Sequence, residues 1–164
     1  MAAGEIRLRD VLTGDLPVFF QNQLNPDANH MAAFTAKDPA DREAFDTHWA
    51  RIMADNTIYI QTITLGSEAI GHVLSYQQAG ATEVSYWIAK KYWGRGVASQ
   101  ALRAFLLQHS SRPLHARAAK DNIASLRVLE KCGFVITAVD RGYANARDAE
   151  IEEFVLRLDA PRAS

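Results

Sequence analysis

Two glycines, Gly94 and Gly96, sit where a β-patterned run gives way to an amphipathic helix, and this junction restricts the fold more than any other stretch of the chain. It reads Tyr92-Trp93-Gly94-Arg95-Gly96-Val97-Ala98-Ser99. Over 82–89, alternation puts Glu83, Ser85, Trp87 and Ala89 on one strand face and Val84, Tyr86 and Ile88 on the other. Beyond the glycines, Ala98, Ala101, Leu102 and Phe105 recur at helical spacing. Glycines at such a junction leave backbone N–H groups bare at a helix N-terminus, where the helix dipole favours an anion. A strand, a bare turn and a helix in that order are suited to gripping a pyrophosphate; a plain tight turn is the competing reading. Two other phosphate motifs fail on detail. The Walker loop needs a lysine after its last glycine, and Val97 follows Gly96; the dinucleotide fingerprint needs a third glycine where Ser99 stands.

The rest of the chain reads as alternating strands and helices. Ile6 and Leu8 alternate with Arg7 and Arg9 as a short edge strand, and Thr13-Gly14-Asp15 opens a helix carrying Leu16, Val18, Phe19 and Phe20. Residues 22–38 read as loop, with Asn25-Pro26-Asp27 and Asp38-Pro39 as turn signals, and a helix is expected over 39–54. Strands at 57–65, 69–76 and 82–89 are joined by hairpin-length links. After the glycine helix come a strand at 113–118, a helix at 122–132 capped by Asp121 or Asn122, and closing strands at 135–141 and 151–158. Gly133 stands where a left-handed helix stop is needed, with Phe134 closing it.

Composition narrows the function classes. At 164 residues, 48% hydrophobic and 23% charged, the chain suits one domain over 1–164, with a core from about 5 to 158. A net charge of −1 gives no global field for nucleic acid or an anionic membrane, so any grip on phosphate must be local. Residues 1–10 lack the apolar core of a signal peptide and no run is long enough to span a bilayer, so the expected location is the cytoplasm. One cysteine excludes an internal disulfide, and the five histidines have no metal-ligand spacing, so no metal is expected.

Downstream of the glycine turn comes Asn122-Ile123-Ala124-Ser125, leading into Glu130-Lys131-Cys132-Gly133-Phe134. The two motifs, in that order, resemble the GCN5-related N-acetyltransferases (GNAT), and within them the branch that modifies ribosomal-protein N-termini and similar amines. The resemblance implies an α/β fold with one mixed, mostly antiparallel sheet of about seven strands flanked by four helices. It also implies that acetyl-CoA is the co-substrate. Lys91-Tyr92-Trp93-Gly94-Arg95-Gly96 matches the family's phosphate turn, with lysine replacing the usual first residue. The amides of Trp93, Gly94, Arg95, Gly96, Val97, Ala98, Ser99 and Gln100 are then expected to hold the pyrophosphate. By the same resemblance, the pantetheine pairs with the backbone of Trp87, Ile88 and Ala89 like an added strand, an N–H there stabilises the oxyanion, Asn122 contacts the cofactor, and the Ser125 hydroxyl sits near its sulfur.

Glu83 is the candidate general base, since acetyl transfer needs the ammonium deprotonated and a carboxylate amid Val84, Tyr86 and Trp87 is open to desolvation. A solvated glutamate after the Gly80 turn is the competing reading. Asn122 also serves as a plain helix cap. Many relatives carry a tyrosine acid at the position of Leu129; here Ser125, a water or Tyr143 substitutes, or the thiolate leaves unaided. Cys132 reads as a small buried hydrophobe. Asp27, Asp38, Asp41, Glu43 and Asp46, against Lys37 and Arg42, suggest either a mildly acidic lip for a cationic amine or an ordinary exposed surface. The expected partners are acetyl-CoA and an amine acceptor, with a homodimer carried by analogy. A non-catalytic acyl-CoA sensor is the alternative, and a nucleotide-binding domain a third reading.

Overall fold

A computed structural model describes residues 4–161. The first and last three residues, part of the span assigned to one domain and, at the amino end, of the segment read for a leader, lie outside the described residues. The chain runs through β1 (Ile6–Arg9), α1 (Leu16–Leu24), α2 (Pro26–Ala32), α3 (Arg42–Ala54), β2 (Tyr59–Leu65), β3 (Glu68–Gln78) and β4 (Ala81–Ile88). It continues through α4 (Val97–Gln108), β5 (Leu114–Ala119), α5 (Ile123–Lys131), β6 (Val135–Ala144) and β7 (Ala149–Leu158). All seven strands share one sheet in the order β1-β2-β3-β4-β5-β7-β6. Every pairing is antiparallel except that of β4 with β5, which is the expected mixed sheet.

The helices number five where four were expected, and the extra one is α2, inside the segment read as loop. Asn25 and Pro26 were misleading because turn formers are also helix starters. Asn25 is the N-cap, its side chain accepting from Ala28 N at 3.0 Å, and Pro26 opens the helix. Likewise α3 begins at Arg42 rather than 39, because Asp41 accepts from Ala44 N at 3.0 Å and defines the cap. Gly133, at φ +98°, ends α5: Gly133 N bonds Glu130 O and Phe134 N bonds Leu129 O, each at 3.0 Å.

Strand alternation divides the core between the two faces of the sheet. Ile63, Val73, Val84 and Ile88 pack with Leu102 and Phe105 of α4 and Leu126 and Leu129 of α5. The other face carries Ile60 against Phe19, Phe20, Phe45, Trp49 and Ile52 of α1 and α3. Between them the parallel pair is the weak seam. β4 and β5 are in register only at Glu83 and His115, so beyond that point the strands diverge and a gap opens through the sheet.

Candidate active site

The gap between β4 and β5 belongs to a cleft of about 1280 Å³ that is lined by both faces of the sheet. Gly94, Gly96, Val97, Ala98 and Ser99 line one end. Gly94 and Gly96 have φ of +76° and +75°, and a Cβ on Gly94 would meet nothing within 4 Å. Open space together with left-handed backbone explains why this turn needs glycine: a side chain would strain the chain and fill the approach to α4's first amides. Tyr92 pins the turn from below, its hydroxyl donating to Glu68 at 2.7 Å, while Lys91 turns outward to the same carboxylate. From α5 and its cap, Asn122, Ser125, Arg127, Val128 and Lys131 also line the cleft. Arg127 and Lys131, one turn apart, are cationic lining residues that the sequence reading missed; their i,i+4 spacing was the available signal.

Strand β4 forms the floor. Of its three expected cofactor positions, Ala89 N donates to Ile70 O at 2.9 Å, and the Trp87 carbonyl lies against Gly71 of β3, where an added Cβ would come within 2.1 Å of it. Alternation therefore leaves Ile88 as the member of the trio whose backbone faces the gap, and its carbonyl accepts from Trp93 Nε1 at 3.0 Å. Tyr86 faces the gap one step back. Its hydroxyl lies 3.0 Å from Ser125 Oγ, and burial pushes the phenol up to about 12. Asn122 is the cap of α5, accepting from Ser125 N at 3.2 Å, and its amide donates to Met31 O at 3.2 Å. Leu129 is buried in the core; Tyr143 is exposed on β6 and bonds Asp148. Cys132 lies outside the cleft lining, half-buried, with its thiol pushed up by burial.

The other end of the cleft is built from side chains. Opposite Trp87 on β3, His72 packs edge-on against Phe19 and Trp49, its centroid 4.9 Å from each and theirs 5.0 Å apart, and burial lowers this imidazole to about 3, so it is neutral. Arg117 of β5 donates from Nε to Glu83, four residues back along β4 from Trp87, at 2.8 Å and from Nη1 to Asp140 and Glu153 at 2.8 and 2.9 Å. Glu83 is thus buried, but beside a guanidinium rather than among Val84, Tyr86 and Trp87 as the sequence suggested. The reason is cross-strand: Arg117 lies on the same face of β5, two residues beyond Glu83's register partner His115. Glu83 Oε2 is buried with no partner; Glu83 lines not the cleft but a side chamber of about 180 Å³ shared with His115, and Arg117 lines both chamber and cleft. Burial raises the Glu153 carboxyl above its ordinary value against the pull of Arg117.

Four of the five residues of the acidic lip read from the sequence hold structural contacts, Glu43 being the exception. Asp27 pairs with Lys90, Asp38 bonds Ala40 N, Asp41 caps α3 and Asp46 pairs with Arg42. Asp55 and Glu153 are the carboxylates that line the cleft instead. Among the described residues no cluster of three or more His, Cys, Asp or Glu side chains has metal-holding geometry, and no helix is long and apolar enough to cross a membrane.

Comparison with known proteins matches this geometry. No curated protein matches the chain by sequence. RimJ of Mycobacterium smegmatis, solved with a CoA disulfide, superposes with a TM-score of 0.80 at 19% identity, covering 96% of this chain and 83% of that one. RimL, the ribosomal L7/L12 α-N-protein acetyltransferase solved with coenzyme A, gives 0.79 at 18% identity, covering 94% of each. Spermidine N-acetyltransferase from Vibrio cholerae, with CoA and spermine, gives 0.75 at 15% identity, covering 94% and 95%. A family model for the acetyltransferase (GNAT) domain matches residues 5–135, from the first strand through the glycine turn to the stop after α5. With a splayed parallel pair, an anion-ready turn and that match, the chain belongs to the GNAT acetyltransferase family.

Proposed function

We propose that this protein moves an acetyl group from acetyl-CoA to a primary amine by direct transfer in a ternary complex. One observation carries the reading: a single cleft runs from the glycine turn, past Tyr86 and Ser125, to Arg117 and Glu153. The amides of Gly94, Arg95, Gly96, Val97, Ala98 and Ser99 grip the pyrophosphate, with Arg127 and Lys131 adding positive charge beside it; Trp93 N and Gln100 N, which the sequence also suggested, are instead given to Lys90 O and Gly96 O at 3.0 and 3.1 Å. Pantetheine enters the gap along Trp87, Ile88 and Ala89, chiefly against Ile88, and brings its sulfur to Ser125. An amine nitrogen arriving from the Arg117 end then meets the thioester carbonyl.

Glu83 takes the amine's proton through water, using Oε2 while Oε1 stays on Arg117. Three carboxylates, Glu83, Asp140 and Glu153, surround one guanidinium, so the acceptor end favours a cation. A protein N-terminus, as in the ribosomal-protein branch, and a polyamine, like the spermine of the Vibrio enzyme, both meet that requirement. Thiol release from acetyl-CoA across N-terminal peptides, polyamines, amino acids and aminoglycosides tests the reading. Turnover with one class is expected, and Glu83→Gln should lower it about a hundredfold while leaving CoA affinity intact. Undiminished turnover in that variant removes Glu83 as base. Tight CoA binding with no turnover on any amine favours an acyl-CoA sensor, a reading that Leu129 and the Arg117-held Glu83 would suit.

A further inference from the structure

Leu129 offers the departing sulfur no hydroxyl, and its side chain is buried in the core. Strand β4 brings a phenol to the same helix from across the gap. Tyr86 and Ser125 both line the cleft, with their oxygens 3.0 Å apart. Among the described residues, neither hydroxyl has a second protein partner. Two hydroxyls carry two protons but share one hydrogen bond, so whichever oxygen donates, one proton is left for a third atom. A pair that served only to tie β4 to α5 would have no use for that spare donor. Here it sits on the wall of the cleft.

We infer that Tyr86 is a positioning residue for acetyl transfer: its hydroxyl donates to Ser125 Oγ and turns the serine proton toward the thioester sulfur. The inference rests on the transferase reading above. In the step, the amine nitrogen bonds to the thioester carbon and loses its proton to Glu83 through water. The carbon–sulfur bond then breaks and its electron pair passes to sulfur. Ser125 donates a hydrogen bond to that sulfur, made stronger by the one it accepts from Tyr86. Both hydroxyls keep their protons, because alcohols and phenols are weaker acids than a thiol. Coenzyme A leaves as a thiolate and takes its proton from solvent. The high value of the buried phenol keeps Tyr86 a donor throughout the working pH range.

A double-mutant cycle tests this. Turnover is measured for wild type, Tyr86→Phe, Ser125→Ala and the double variant with acetyl-CoA and an accepted amine, alongside calorimetric CoA affinity and melting temperature. Tyr86→Phe should lower kcat about tenfold, with KM for acetyl-CoA and CoA affinity unchanged within about twofold. Because Tyr86 acts through Ser125, the double variant should be no slower than Ser125→Ala. Unchanged kcat in Tyr86→Phe, independent losses that multiply, or a loss confined to KM each overturns the role. Should Tyr86→Phe melt early, 3-fluorotyrosine at position 86 keeps the shape and strengthens the donor. It should raise kcat below its own pKa only when Ser125 is present, and an unchanged kcat overturns the role. A wild type that binds CoA but turns over no amine overturns the transferase reading itself, and this role with it.

Discussion

The two ends of the cleft are made of different materials. The cofactor end is backbone: a strand edge at Ile88, left-handed glycines at 94 and 96, and the first amides of α4, all within a short run of sequence. The acceptor end is side chain, gathered by tertiary pairing. Glu83 on β4, Arg117 on β5, Asp140 on β6 and Glu153 on β7 meet in one ion-pair cluster. A backbone site suits a cofactor that presents phosphates and amides, whereas a side-chain site can be re-cut for a new acceptor without disturbing the chain path. Cofactor affinity and acceptor specificity should therefore be separable by mutation.

The hardest test of that separation is Arg117→Ala. It strands Glu83 and Glu153 as buried or half-buried carboxylates and should cost about 3 kcal/mol, seen as a fall in melting temperature on the order of 10 °C. CoA affinity, read by calorimetry at a temperature where the variant is folded, should stay within a few-fold; a parallel collapse would show that the two ends are one unit. Gly71→Ala attacks the join from the other side. The new Cβ would lie 2.1 Å from the Trp87 carbonyl, so β4 must shift, at a cost of about 2–3 kcal/mol. Chemical denaturation should register that loss, and CoA binding should weaken with it because Ile88 moves.

Gly96→Ala is gentler. Its Cβ meets only Gln100 Nε2 at 3.9 Å, so the penalty is the left-handed backbone alone, about 1–2 kcal/mol. CoA affinity should drop about tenfold and the melting temperature by on the order of 5 °C, while the Arg117 cluster stays as in wild type. Over the interval from pH 7.5 to 5.5, the smallest effect comes from pH. His72 is held neutral with its value lowered to about 3, so below about pH 6.5 the unfolded chain binds a proton that the folded one does not. This contribution is complete above that pH and shrinks as pH falls toward 3, by up to about 1.4 kcal/mol per unit. Melting curves at pH 7.5 and 5.5 should show the fall in wild type and a shallower one in His72→Phe; equal slopes would mean the ring is not buried neutral.

What could be read in advance follows the same division. The glycine turn, the apolar face of α4 and the Asn122 cap are local, set by dihedral preference and helical period, and they stand where the residues suggested. Helix α2 escaped because Asn25-Pro26 serves a turn and a helix start equally well, and only the six residues beyond it resolve the choice. The surroundings of Glu83 escaped for a stronger reason. Its partner Arg117 is 34 positions away, and nothing short of the β4–β5 register says that they share a face. Tyr86 was visible as one residue of an alternating strand, but the hydroxyl it would meet is 39 positions downstream on α5.

By itself the sequence determined the order of elements apart from α2, and the anion-ready turn, because backbone periodicity and left-handed glycine positions are properties of neighbouring residues; the seven-stranded mixed sheet was implied by the family resemblance. Only the tertiary structure decided which carboxylate faces which cation, which strand edge stays open and which hydroxyls pair. Those outcomes depend on parallel register and on where β4 and β5 part, and register is a relation between distant segments that no local pattern encodes.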